Sequence, residues 1–281
     1  MTQSTPATSA TSTTSIHAEE RTLTLTLCSI AFRNDPIEDI VTRAAALGFD
    51  GVEVFAKQIE EHDDEALLAL RRLADEHRIA LPVISPYFAF TRGQKEYDDA
   101  IATARRCVHA AQILGATRIR TFTDVAATGI GSDIATDAHW EQCVRGLRVV
   151  TALDRGLQFV VETHGHTLAD TVDATLKLLE RVDAPNLKVL YQPTTFRHHE
   201  GVDASFDALR PHTAHLHLQQ QGTADGQGWL EAPGEIDYPA FFDRLKRSGY
   251  RGTVSLEYCF KGVTWERVEA GYRYLAKHLR D

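Results

Sequence analysis

The sequence predicts an α/β protein built as a single (β/α)8 barrel. Three observations lead to that reading. Eight short β-type apolar runs alternate with helical patterns, an order that implies parallel βαβ units. The chain has 281 residues, 43% of them hydrophobic, and one such barrel takes roughly 250 residues. No GxGxxG follows any run, which removes the main sign of the rival open doubly wound sheet. Closing the sheet also leaves no free strand edge.

The elements follow in order. Strand one is predicted over Thr22–Ile30. Asp35-Pro36 opens a helix, with Asp as N-cap and Pro in the first turn, and that helix runs to Leu47 and stops at Gly48. Asp50–Phe55 is strand two. Asp64–His77 is a helix with apolar spacing at Ala66, Leu67, Leu70, Leu73 and Ala74. Ala80–Ser85 is strand three, and Lys95–Leu114 a helix closed by Gly115. Thr117–Phe122 is strand four, and Asp137–Arg155 a helix closed by Gly156. Leu157–Thr163 and Leu187–Gln192 are strands five and six, separated by a helix over Ala169–Val182. A weaker helix around Ala204–Leu209 leads to strand seven, Ala214–Gln219. Tyr238–Ser248 is a helix closed by Gly249, Thr253–Tyr258 is strand eight, and Trp265–His278 is the last helix.

Residues 21–281 are therefore read as one catalytic barrel domain and residues 1–20 as a disordered tail. Met1 to Ser15 is rich in Thr, Ser and Ala, carries no charged side chain and cannot bury enough apolar surface to offset chain entropy. It also lacks the basic start and apolar run of a secretory signal. The net charge of −9 and the absence of any Lys/Arg run argue against a nucleic-acid partner. No stretch is long and apolar enough to span a bilayer. Cys28, Cys107, Cys143 and Cys259 are scattered, with no CxxC pair or zinc spacing, as suits buried thiols in a reducing cytoplasm. Association into a homo-oligomer is left open.

Barrel chemistry gathers at the C-terminal strand ends, and polar residues fall there repeatedly. They are Glu53 on strand two, Arg120 on strand four, Glu162 and His164 on strand five, Gln192 on strand six, His215 and His217 on strand seven, and Glu257 on strand eight. Alternation of side chains gives a test. If Glu162, His217 and Glu257 point inward, then Phe159, Val161, Leu216, Leu218, Val254 and Leu256 face the helices. Glu162 and Glu257 then meet across the mouth. Two carboxylates about 4 Å apart repel by roughly 4 kcal/mol at an effective dielectric near 20, so a proton or a cation must separate them. With His217 and the Gln192 amide oxygen nearby, one divalent cation (Mn2+, Mg2+, Co2+ or Zn2+) is the more economical answer. His215 is read as a satisfied core histidine.

The runs Val160-Val161-Glu162-Thr163-His164, His215-Leu216-His217, Gly234-Glu235-Ile236-Asp237-Tyr238 and Gly249-Tyr250-Arg251-Gly252-Thr253-Val254-Ser255-Leu256-Glu257 resemble the xylose-isomerase-like barrel family of sugar isomerases and epimerases. The resemblance implies a divalent metal held by two Glu, an Asp and a His. The matching positions are Glu162, His217 and Glu257, and the family Asp falls at Gln192. A related branch, the AP endonucleases, is disfavoured because Gln192 replaces its Asp and Gln219-Gln220 stand where it has Asn-Asp. The implied activity is isomerisation or epimerisation of a keto sugar through an enediolate, with Glu162 and Glu257 as acid and base. Arg120, His164 and Glu53 are expected to contact the substrate, with a role as ion-pair partners the alternative, and Tyr87 and Trp229 to wall its ring, with ordinary loop packing the alternative. The glycine-rich Gln221–Glu235 loop is a candidate lid. The alternatives are a metal-dependent lyase or dehydratase acting on a keto-cyclitol or keto-glycoside, and a non-catalytic sugar-binding barrel.

Overall fold

A computed structural model describes residues 23–124 and 128–280. The expected disordered tail over residues 1–20 lies outside the described residues. The elements are β1 (Thr24–Cys28), α1 (Ile37–Leu47), β2 (Gly51–Phe55), α2 (Asp64–Glu76), β3 (Ala80–Ser85), α3 (Gln94–Leu114), β4 (Arg118–Thr121), α4 (Asp137–Thr151) and β5 (Gln158–Glu162). They continue as α5 (Val172–Val182), β6 (Leu187–Tyr191), α6 (Pro193–Phe196), α7 (Val202–Leu209), β7 (Thr213–Leu218), α8 (Tyr238–Arg247), β8 (Thr253–Leu256) and α9 (Trp265–Leu279). The eight strands pair in parallel in chain order, and β8 returns to β1, so the sheet is a closed barrel. No helix among the described residues is long and apolar enough to cross a membrane.

Local chemistry sets the helix ends. The side chains of Asp63, Thr171, Asp237 and Thr264 each accept a backbone N–H from the first turn of the helix that follows. Gly48 ends α1 at φ 96°, where its N–H reaches the Ala44 and Ala45 carbonyls. The start of α1 differs from expectation: Pro36 itself is the N-cap, and no side chain caps that end. Helix α4 stops at Thr151 rather than running on to Arg155. The Asn186 side chain donates to the carbonyls of Thr151, Asp154 and Leu157 just past that end, and so satisfies the Thr151 carbonyl that a longer helix would have used. The four-residue α6 was not foreseen.

The strand alternation separates two cores. Phe159, Val161, Leu216, Leu218, Val254 and Leu256 all join the apolar layer between sheet and helices. The barrel interior instead holds buried Thr26, Glu53, Ser85, Arg120, Glu162, His215, His217 and Ser255. Such interiors are usually filled with bulky branched residues. Here the apolar burial lies mainly in the outer layer, and the barrel axis is polar.

Helix packing in that outer layer is tight at Gly146 on α4. A Cβ there would sit 2.3 Å from a ring carbon of buried Phe90. Helix propensity alone favours Gly→Ala by about 1 kcal/mol, while overpacking a core costs about 1–3 kcal/mol. Gly146→Ala is therefore expected to lower the melting temperature by a few degrees in a calorimetric scan; a rise would show that propensity dominates.

Candidate active site at the barrel mouth

The site is built from the last inward positions of the strands. Glu162 ends β5, Gln192 follows β6, His217 lies near the end of β7, and Glu257 follows β8. All four are at most 2% exposed. His217 Nδ1 lies 3.1 Å from Glu257 Oε1 and 3.7 Å from Glu162 Oε1. The Gln192 amide nitrogen donates to Glu257 Oε2 at 3.3 Å. The structure thus sets His217 and Gln192 beside Glu257 and Glu162 beside His217, while Glu162 stays outside the groups of ligating atoms that lie within 4.8 Å of one another among the described residues.

Glu53 sits one layer deeper and is fully buried. Its oxygens lie 2.8 Å from His215 Nε2 and 2.9 Å from His217 Nε2, and they accept from the hydroxyls of Ser255 (2.6 Å) and Ser85. Burial by itself pushes this carboxyl upward, but the two imidazoles outweigh it and hold Glu53 well below the usual carboxylate range. An ionised carboxylate only accepts, so both histidines carry a proton on Nε2. When neutral, His217 therefore presents a bare lone pair on Nδ1 to the mouth. His215 Nδ1 is met by the Thr253 hydroxyl at 2.5 Å, so His215 is a satisfied core histidine.

Glu53 was expected to touch substrate. Its oxygens are already used by four protein donors, and what it does instead is orient His217. Arg120 was also expected at the substrate, yet it is 1% exposed. It donates to Glu162 Oε2 at 3.1 Å and to the Pro86 carbonyl at 3.2 Å, under the rings of Tyr87 and Phe122. Burial raises the Glu162 carboxyl, but Arg120, with His217 behind it, brings it below the ordinary value. Trp229, expected as a wall of the pocket, is 5% exposed, donates to Asp225 and packs edge-on against Tyr258 and Phe260. It anchors its loop. That loop is pinned rather than free: the Gln220 side chain bonds Ile236 at both its N–H and its carbonyl, and Gln221 O accepts from Glu235 N.

Two expected contacts do face the mouth. Tyr87 is 44% exposed beside Arg120. His164 is half-buried against Phe122, and its Nδ1 is 2.8 Å from the Gly165 carbonyl, which leaves Nε2 to meet a ligand. A separate apolar cavity of about 350 Å³ lies beyond Tyr87, between α2 and α3, and includes none of the four mouth residues. The sequence reading missed Ser85 and Ser255 as partners of Glu53. Both lie at inward positions of their strands, so the alternation that picked out Glu257 also marks them.

The donor set fits a divalent cation. Gln192 Oε1 and His217 Nδ1 are buried without a hydrogen-bond partner, although such atoms are ordinarily satisfied. The Nδ1 contact with Glu257 has the distance of a hydrogen bond but not its alignment. Burial alone lowers His217, yet Glu257, Glu53 and Glu162 together raise it well above the ordinary imidazole value. The same carboxylates that favour a proton on His217 would favour a cation beside it. Glu162, Gln192, His217 and Glu257 would hold the ion, with two negative charges against two positive. Gln192→Leu is expected to weaken Mn2+ or Co2+ binding by at least about tenfold in titration calorimetry, and Gln192→Asp to keep or tighten it. Unchanged affinity in Gln192→Leu would remove Gln192 from the set.

Comparison with known proteins agrees with this fold. A 3-dehydroshikimate dehydratase of Bacillus anthracis is 29% identical over 210 residues, 71% of this chain and 72% of the relative. Among solved structures, the probable 3-DHS dehydratase AsbF of the same organism superposes with a TM-score of 0.79 at 23% identity, covering 90% of this chain and 99% of that one. The D-psicose 3-epimerase of Clostridium cellulolyticum H10 superposes with a TM-score of 0.76 at 15% identity, covering 92% and 99%; at these identities the likeness is one of fold. The family described as xylose isomerase-like TIM barrel matches residues 41–281. The chain belongs to that family.

Proposed function

We propose that residues 21–281 form a divalent-metal-dependent enzyme that removes the proton beside a carbonyl of a small polyhydroxylated carbonyl compound and expels the β-hydroxyl as water. The observation that carries this reading is the pair of unpartnered buried atoms, Gln192 Oε1 and His217 Nδ1, beside two carboxylates at the barrel mouth. A bound divalent cation supplies positive charge where the enolate oxygen develops.

The protein's own groups divide the remaining work. Glu257 takes the proton from carbon. The same proton is delivered to the leaving hydroxyl, so the C–O bond breaks, water departs and the enzyme ends in its starting state. Arg120 holds Glu162 ionised, and an ionised carboxylate cannot return a proton. Two-base epimerisation needs a protonated group on the opposite face, whereas elimination and one-base isomerisation do not. His164 Nε2 would accept a hydrogen bond from a substrate hydroxyl, and the exposed Tyr87 would pack against the substrate.

The dehydratase relative supports elimination over isomerisation, and its named substrate class, a β-hydroxy ketone such as 3-dehydroshikimate, is the first to try. The second reading is the sugar isomerase or epimerase implied by the sequence, acting through an enediolate; its two-base form would need Glu162 to carry a proton despite Arg120. Turnover in deuterated water, followed by mass spectrometry, separates the two. Elimination predicts a product lighter by one water, with kcat in Glu257→Gln reduced by about 10²–10⁴-fold. An isomeric product carrying solvent deuterium would establish the isomerase instead. Saturable sugar binding that survives chelation, without turnover, would favour the non-catalytic barrel.

A further inference from the structure

Cys28 ends β1, and Leu27 before it pairs with Leu256 before Glu257. Leu27 and Leu256 both join the outer apolar layer, so the next side chain on each strand turns inward. Cys28 is fully buried there, and Glu53 is its register partner on β2. Its sulfur and one ligand atom each from His217 and Glu257 all lie within 4.8 Å of one another. The other such group among the described residues, Glu53 with His215 and His217, is taken up by hydrogen bonds. The group at Cys28 is different, because His217 Nδ1 is buried without a partner, as is Oε1 of Gln192, whose amide nitrogen bonds Glu257 of the same group. A thiol satisfies neither atom well, since sulfur is a weak donor. A cation satisfies both.

We propose that Cys28 is a fifth ligand of the cation at the barrel mouth, binding through Sγ and giving the site a preference for thiophilic divalent ions. The proposal rests on the reading of Glu162, Gln192, His217 and Glu257 as a metal site. On binding, a sulfur lone pair forms the bond to the cation and the thiol proton leaves to solvent. Burial, with the Glu53 and Glu257 carboxylates nearby, holds the Cys28 thiol well above the ordinary thiol value, and Arg120 and the Ile30 backbone N–H offset this only in part, so the bond to the cation must supply the gain that releases the proton. Oxygen and imidazole donors alone suit Mg2+ and Mn2+ as well as Zn2+ and Co2+, whereas an added thiolate selects Zn2+ and Co2+.

The test uses the full chain loaded with Co2+ as the probe and read by absorption. Wild type is expected to show a near-ultraviolet sulfur-to-cobalt charge-transfer band. Cys28→Ser is expected to lose that band, still bind Co2+, and have its preference for Zn2+ over Mg2+ reduced by about tenfold or more. Cys259→Ser, which alters the second thiol beside Glu257, is expected to keep the band. Stoichiometric Co2+ binding without the band in wild type would overturn the sulfur ligand and leave the four-residue site standing. A band lost in Cys259→Ser but kept in Cys28→Ser would also overturn it. Failure of wild type to bind Co2+ at all would overturn the metal site and the sulfur ligand together.

Discussion

The site depends on an imidazole held between two sets of carboxylates. His217 gives Nε2 to Glu53 at 2.9 Å on one side and turns Nδ1 toward Glu162 and Glu257 on the other. The Glu53 bond fixes the tautomer, so the lone pair that could hold a cation faces the mouth. Carboxylates that orient a ligating histidine in this way are common in metal sites. Removing one partner of a buried charge leaves the other uncompensated, at about 3–5 kcal/mol. Glu53 avoids that cost through its four donors, and each comes from a different inward position of the closed sheet.

A polar axis of this kind can be tolerated only if stability comes from elsewhere. The barrel meets that need by segregation. Outward positions of the strands build one apolar layer with the helices, while inward positions form a continuous hydrogen-bonded column from Thr26 through Ser255 and Glu53 to His217. Arg120 and Glu162 make the parallel arrangement beside it, a buried ion pair whose guanidinium is completed by backbone carbonyls. Buried networks are costly when half satisfied, and two of the atoms left open, Gln192 Oε1 and His217 Nδ1, lie at the mouth.

Much of this was legible in the sequence because strand alternation is strict. Eight runs gave the barrel, and the parity of Glu162, His217 and Glu257 against their apolar neighbours placed all three on one face. Gln192 could be added from its position after the sixth run. What alternation does not give is depth along the axis, which depends on how far each strand is staggered against the next. That is why Glu53 and Arg120, read as substrate contacts, prove to be enclosed partners of His217 and Glu162. Trp229 was misread for another reason: whether a loop aromatic walls a pocket or pins its own loop is settled by long-range packing. The end of α4 depended on Asn186, more than thirty residues away.

The central claim is that the four mouth residues hold one divalent metal ion. Elemental analysis of the purified full chain, beside a Glu162→Gln/Glu257→Gln double variant, tests it most directly. The account predicts about one equivalent of divalent metal in the wild type and its loss in the double variant. A wild type that holds none, even after reloading with Mn2+, Co2+ or Zn2+, would contradict it.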